Sequence, residues 1–186
     1  MRTLQATVAL ATLIAAGCSS DGVVGLQPDA ALQAKSVHMV PFKANQSAEA
    51  LPTTGVVCPA GSLPTKASPT GTGTHIGKYT GVSIACFAFT GPTTFDFVTG
   101  TNNVVAANGD ELWFTLDPVA RGHGAVVFGP NGPSLTWSAE YDVTGGTGRF
   151  AGATGHVTVT GSRDLSTPGA PFLSDILGQV SSVGSS

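Results

Sequence analysis

Charge is what this chain has least of. Asp, Glu, Lys and Arg together make up 10% of its 186 residues, against about a quarter in ordinary soluble proteins. Its 8 Lys and Arg are scattered, so they cannot form the basic stripe that nucleic-acid binding requires. The same scarcity excludes a long charged helix or coiled coil, which draws heavily on Ala, Glu, Lys, Leu and Arg. No Cys-x-x-Cys, no histidine pair at helical i, i+4 spacing and no Gly-x-Ser-x-Gly occurs in the sequence. Zinc-finger, zincin and serine-hydrolase signatures are therefore absent. Disorder throughout would need low hydrophobicity with high net charge, whereas this chain is 41% hydrophobic with a net charge of −3. What it holds in quantity is 25 Gly, 23 Thr, 16 Ser and 12 Pro. Thr and Val with Gly at the turns is β-sheet composition.

A long apolar run is also missing. The longest, residues 6–16, has about 11 residues and would be roughly 16 Å long as a helix, too short for a hydrocarbon core of about 30 Å. It follows Arg2 and fits the apolar region of an export signal. The run ends in Ile14-Ala15-Ala16-Gly17-Cys18, small residues directly before a cysteine, and this resembles a bacterial lipobox in which Ala15 takes the usual Leu place. The resemblance implies cleavage before Cys18, a thioether-linked lipid on its sulfur and acylation of its new amino group. Several acyl chains anchor a protein stably where a single one is marginal. Ser19 in the next position resembles lipoproteins sent to an outer membrane. The sequence thus divides into a signal peptide at 1–17, a lipidated flexible tether at 18–35, a folded domain at 36–182 and a disordered tail at 183–186. The expected location is the cell envelope, lipid-anchored to a membrane, most naturally the outer one.

Setting Cys18 aside leaves Cys58 and Cys86, an even pair in an exported chain. An oxidising compartment permits a disulfide between them. The alternative is two separate buried thiols, since free cysteine packs as a small hydrophobe.

From residue 36 onward the dominant signal is alternation with period two. In 134–143, Leu135, Trp137, Ala139, Tyr141 and Val143 share one face, while Thr136, Ser138, Glu140 and Asp142 share the other. Such a run is a strand with one wet face. In 110–117, Leu112, Phe114 and Leu116 oppose Glu111, Trp113, Thr115 and Asp117. The Asn108-Gly109 pair before it predicts a type I′ hairpin joining 101–107 to 110–117. Further strands are predicted at 37–44, 73–80, 83–90, 94–99, 124–128, 156–162 and 172–181. Residues 45–72, rich in Pro, Thr, Ser and Gly, read as a long irregular connection with a short strand at 55–58. Strands at this spacing, punctuated by Gly and Pro, indicate an antiparallel sandwich or barrel.

The segment Gly145-Gly146-Thr147-Gly148-Arg149-Phe150-Ala151-Gly152-Ala153-Thr154-Gly155 has a distinct local character. A phosphate-cradling loop would need a following helix, and here a strand pattern follows. The segment reads as a broad turn whose glycines take positive φ and whose Phe150 plugs one end of the core. Taken with Tyr141-Asp142-Val143-Thr144 before it, Thr74–Thr80, the 106–110 hairpin and Val40-Pro41-Phe42-Lys43, it resembles a group of exported bacterial proteins of unassigned function. These segments are similar in pattern to allene oxide cyclase-like and dirigent-like barrels. The resemblance spans about residues 37–182 and implies an all-β fold, a single closed antiparallel barrel of about eight strands, often oligomeric in the plant relatives. No motif is present on which that family's catalytic residues could be placed, and fold analogy alone supplies no activity.

The ionisable residues offer little chemistry. His38, His75, His123 and His156 have no metal-site spacing, although in a barrel His75 and His156 could meet Asp96 or Glu140. Glu140 and Asp142 lie on one strand face about 7 Å apart, a spacing glycosidases use but one typical of a solvated face. Trp137 and Tyr141 are candidates for lining a barrel lumen, which an eight-stranded barrel either fills with side chains or opens to one small ligand; filling is the favoured expectation. Trp113, facing outward, is a candidate interface residue, and homo-oligomerisation stays open. The function expected is a non-enzymatic binding or structural module of the envelope, with a small apolar ligand as the candidate occupant and no cofactor or metal. The alternative is a barrel enzyme, cyclase- or isomerase-like, acting on a hydrophobic small molecule.

Overall fold

The computed structural model describes residues 38–181. The signal peptide, Cys18, the tether and the tail at 183–186 lie outside the described residues. Nine strands follow one another: β1 (Met39–Ala50), β2 (Leu63–Gly73), β3 (Gly77–Phe89), β4 (Thr94–Ala106), β5 (Glu111–Leu116), β6 (Gly122–Gly129), β7 (Gly132–Gly146), β8 (Gly155–Asp164) and β9 (Phe172–Ser181). No α-helix occurs among the described residues, and a 3-10 turn covers Gly148–Phe150.

All pairings are antiparallel, and they close on themselves. The circuit runs β1–β2–β3–β4–β5–β7–β8–β9 and back to β1, giving an eight-stranded barrel. Strand β6 adds no further row: it pairs with Thr94–Asp96 of β4 and with the first half of β7, directly beyond β5. One row is therefore interrupted by an excursion at residues 117–121. That excursion is held at both ends by Glu140, whose carbonyl accepts from Asp117 N–H at 2.8 Å and whose N–H donates to the Arg121 carbonyl at 2.7 Å. Closure gives each of the eight barrel strands a neighbour on both sides, which reduces the main aggregation hazard of strand proteins.

The alternation read from β7 and β5 sorts as expected. Ala139, Tyr141, Val143, Leu112, Phe114 and Leu116 are buried. Segments 94–99 and 101–107 prove to be one strand with a bulge. Opposite Cys86 and Phe87 the partners are Thr99 and Phe97, leaving Val98 extra. One extra residue shifts the parity, so Phe95 and Phe97 point inward before it and Asn102, Val104 and Ala106 after it.

Three other expectations need correction. Segments 73–80 and 83–90 are not two strands: β3 runs unbroken from Gly77 to Phe89 after a turn at 74–76. Residues 45–72 are mostly strand: β1 continues to Ala50 and β2 starts at Leu63. The inward positions of β2 include Ala67, Gly71 and Gly73, and the outward ones Thr70 and Thr72. A strand built from small residues inside and hydroxyls outside shows no hydrophobic alternation. The irregular stretch is shorter, 51–62, with no strand at 55–58. The hairpin at 101–107/110–117 forms, but not through a type I′ turn. Only Gly109 takes positive φ, at 88°. Its N–H bonds the Ala106 carbonyl at 2.9 Å, and Ala106 N–H bonds the Asp110 carbonyl at 2.8 Å. This is a type I turn closed by a glycine bulge.

The two ends of the barrel differ. At one end lie the start of β1, the 74–76 and 107–110 turns and the 147–154 connection. Phe150 is 1% exposed there, beside buried Phe42 and Ile76. Arg149 fastens the plug: its Nε is 3.3 Å from Asp110 Oδ2, and its Nη2 donates to the Ile76 carbonyl at 3.2 Å. At the other end lie the 51–62, 90–93, 130–131 and 165–171 connections. A disulfide joins Cys58, in the longest of these, to Cys86 on β3, with Cα atoms 5.7 Å apart.

Candidate ligand site in the barrel lumen

The unplugged half of the barrel encloses an open cavity of about 360 Å³, within the size range of small-molecule sites. Filling was the favoured expectation for this lumen, and the structure differs for a steric reason. Ala48, Ala67 and Ala85 face inward where larger side chains would meet across the barrel.

One wall is a run of phenylalanines. Phe87 and Phe95 stand edge to face at 5.3 Å, Phe95 and Phe97 at 5.5 Å, and Phe87 and Phe89 at 5.7 Å. Such contacts exceed plain burial by about 0.5–1.5 kcal/mol per pair. The adjoining wall carries Trp137, which meets Phe172 edge-on at 5.9 Å. Glycine makes room for both walls: a Cβ on Gly161 would overlap Trp137 Cζ2, and one on Gly124 would overlap the Phe95 ring. Exposed Leu63, Phe89 and Phe128 are at this open end of the barrel.

Polar residues, Gln46, Ser83 and Ser174 among them, are the minority of the lining. Tyr141 is 6% exposed, and burial pushes its hydroxyl up to about 12, so it is neutral near pH 7. Asn102 is 5% exposed, and its Oδ1 has no hydrogen-bond partner among the described residues. At the mouth, Arg163 stacks over Phe172 at 4.4 Å and donates from Nε to the Ala170 carbonyl at 2.8 Å. No His, Asp, Glu, Lys or Cys of the described residues lines this cavity.

Of the residues singled out from sequence, Trp137 and Tyr141 line the lumen. Trp113 does not. It lies on the outside against Gly145, with its indole N–H donating to Glu111 Oε2 at 2.8 Å. Gly145, Gly148, Gly152 and Gly155 take positive φ in the closing connection, whereas Gly146 is held by close approach to Phe150 and the Glu111 carbonyl. The phenylalanine wall has a signal in the sequence, since Phe87/Phe89 and Phe95/Phe97 are each spaced by two. Asn102 has none, because the bulge at Val98 decides which way it points.

A second constellation lies on the outer surface. His156 Nδ1 is 2.9 Å from Asp142 Oδ1, and its Nε2 is 3.0 Å from Glu140 Oε2, which also accepts from Thr158 at 2.9 Å. His75 is not part of it, being at the β2–β3 turn with φ 64°. Asp117, Asp142 and His156 place potential ligand atoms within 4.8 Å of one another. Both imidazole nitrogens, however, face carboxylates, an arrangement that favours the imidazolium, whereas a metal-bound imidazole gives one nitrogen to the ion. The hydrogen bond to Asp142, and next the one to Glu140, hold the His156 pKa above its ordinary value. The group is therefore stabilising at pH values below the unfolded value of about 6.5, and that contribution fades as pH rises through the higher folded value. With the ring half exposed, the effect stays under about 1 kcal/mol. An NMR titration is expected to place the His156 midpoint above 6.5, with Glu140→Gln and Asp142→Asn each lowering it. A midpoint at or below about 6.5 would contradict this geometry.

No family model matches the chain, and no curated protein matches it. Among solved structures, the chain is similar to the pterocarpan synthase dirigent protein, at 14% identity and a TM-score of 0.39, the match covering 80% of this chain and 87% of that one.

Proposed function

We propose that this protein is a non-enzymatic binding module of the cell envelope, anchored through a lipid on Cys18, that takes a small apolar ligand into its lumen. The observation that carries the binding half is the cavity of about 360 Å³, walled by Phe87, Phe95, Phe97 and Trp137, away from the barrel end that Phe150 fills. Mostly apolar sites with a few placed polar groups are the usual form of small-molecule pockets. The non-enzymatic half is supported by the lining, in which Arg163 and Tyr141 are the ionisable groups among the described residues. Burial pushes the Tyr141 hydroxyl up to about 12, far from the near-neutral pKa that general acid–base chemistry uses. The anchoring half rests on the apolar run and the Ala15-Ala16-Gly17-Cys18 segment. An envelope location also suits the Cys58–Cys86 disulfide, since such bonds persist in oxidising compartments.

A single preparation tests both halves: the protein extracted in mild detergent from its own envelope. Its denatured mass is expected to correspond to a chain beginning at Cys18 with added acyl groups. Its native mass is expected to exceed that by a non-covalent ligand, and the same spectrum gives the number of copies per particle. A chain without acyl groups would remove the anchor. A native mass equal to the denatured one would remove the ligand.

A further inference from the structure

The lumen is apolar over most of its surface, but it includes a buried polar atom that none of the described residues satisfies. Asn102 projects inward from β4, lines the cavity and is 5% exposed. Its Oδ1 is without a hydrogen-bond partner among the described residues. Buried carboxamide groups are nearly always paired, and an unpaired one is strongly unfavourable. Leu would fill nearly the same volume without this penalty, so an Asn at this inward barrel position calls for a partner that the described residues do not supply.

Resting on the lumen-binding reading above, we infer that the ligand is a neutral, hydroxyl-bearing apolar molecule whose hydroxyl pairs with the Asn102 carboxamide. The Oδ1 has almost no accessible surface, so a ligand meets the end of the carboxamide that turns to the cavity, and a hydroxyl, which both donates and accepts, pairs with either end. A cationic donor is disfavoured because no carboxylate among the described residues lines the cavity, while Arg163 adds positive charge at the mouth. The phenylalanine wall supplies the apolar contact for the rest of the molecule. The ligand enters hydroxyl first, because Asn102 lies inside the barrel and Phe89 and Arg163 stand at the open end.

The test uses two isomers that differ only in the donor, 1-octanol and 1-methoxyheptane, titrated calorimetrically into wild type and Asn102→Leu. Octanol is expected to bind wild type about five- to tenfold more tightly than the ether, the value of one net hydrogen bond in a buried site. In Asn102→Leu that preference is expected to vanish while ether binding persists. The unliganded variant is also expected to melt about 2–6 °C higher, because the unpaired group is gone. Equal binding of the two isomers to wild type would overturn the inference and leave the lumen-binding reading standing. A preference for octanol that survives in Asn102→Leu would likewise overturn it, since the hydroxyl would then be held elsewhere. Failure of both isomers to bind wild type would overturn the lumen-binding reading itself, and this inference with it.

Discussion

Replacing Phe150 by alanine is expected to lower the unfolding free energy by about 3–5 kcal/mol, the usual cost of emptying a fully buried aromatic site. The ring is 1% exposed and closes the barrel end opposite the mouth. Little can collapse into the space it would leave. The backbone around it turns through Gly148 and Gly152 at positive φ, and a Cβ on Gly146 would overlap the Phe150 Cβ. Arg149 packs over the Phe150 ring at 5.0 Å and reaches Asp110 and Ile76, so losing the ring also loosens the clamp on the 107–110 and 74–76 turns. Urea denaturation of wild type and variant measures the difference. A loss below about 1 kcal/mol would be out of proportion to a fully buried plug and would mean that the 147–154 connection does not close the barrel.

The second large effect is expected from the disulfide. Cys58 and Cys86 are 28 residues apart in sequence, and closing a loop of that size stabilises by about 3–4 kcal/mol in the chain-entropy model. Among the described residues, no hydrogen bond anchors the middle of the 51–62 connection to a strand. Its backbone bonds are Leu51 N–H to the Lys66 carbonyl at one end, and the local turns Val56 to Thr53 and Ser62 to Pro59. Cys86 itself is 2% exposed beneath this segment. The double variant Cys58→Ala/Cys86→Ala is therefore expected to lose about 3–4 kcal/mol. It is also expected to be cut by protease first within 51–62. Reducing the wild type should reproduce the lower melting temperature, and an unchanged melting temperature on reduction would contradict this role.

How much of this was legible in the sequence depended on whether a strand wrote its two faces in different chemistry. Strands β5 and β7 did, with Leu112, Phe114, Ala139 and Tyr141 against Thr115, Glu140 and Asp142, and they were read correctly. Strand β2 did not, because Ala67, Gly71 and Gly73 inside look no more hydrophobic than Thr70 and Thr72 outside. Bulges were the other obstacle. The extra residue at Val98 flips the parity of β4, so two half-patterns looked like two strands, and the inward direction of Asn102 was hidden. The same limit applied to the lumen. The face shared by Trp137 and Tyr141 was visible, but whether that face met a filled or an empty space depended on Ala48, Ala67 and Ala85 across the barrel. Sequence alternation says which way a residue points, and only the closed circuit of pairings says what it points at.

The scarcity of charge has a structural counterpart in this barrel. Its wet faces carry Thr and Ser more than Lys and Glu, and its lumen admits one guanidinium, at the mouth. Among the described residues, the cluster of Glu140, Asp142 and His156 lies outside the barrel, on its surface.

The central claim is that the lumen is a binding site. The most direct test is native mass spectrometry of the envelope-extracted protein beside an Ala67→Phe variant prepared in the same way. Ala67 lines the cavity and is 8% exposed, so a phenyl group there occupies the space a ligand would take. The account predicts a non-covalent adduct on the wild type that is missing from a folded, disulfide-bonded Ala67→Phe. A wild type carrying no adduct, or an adduct held equally by both proteins, would contradict it.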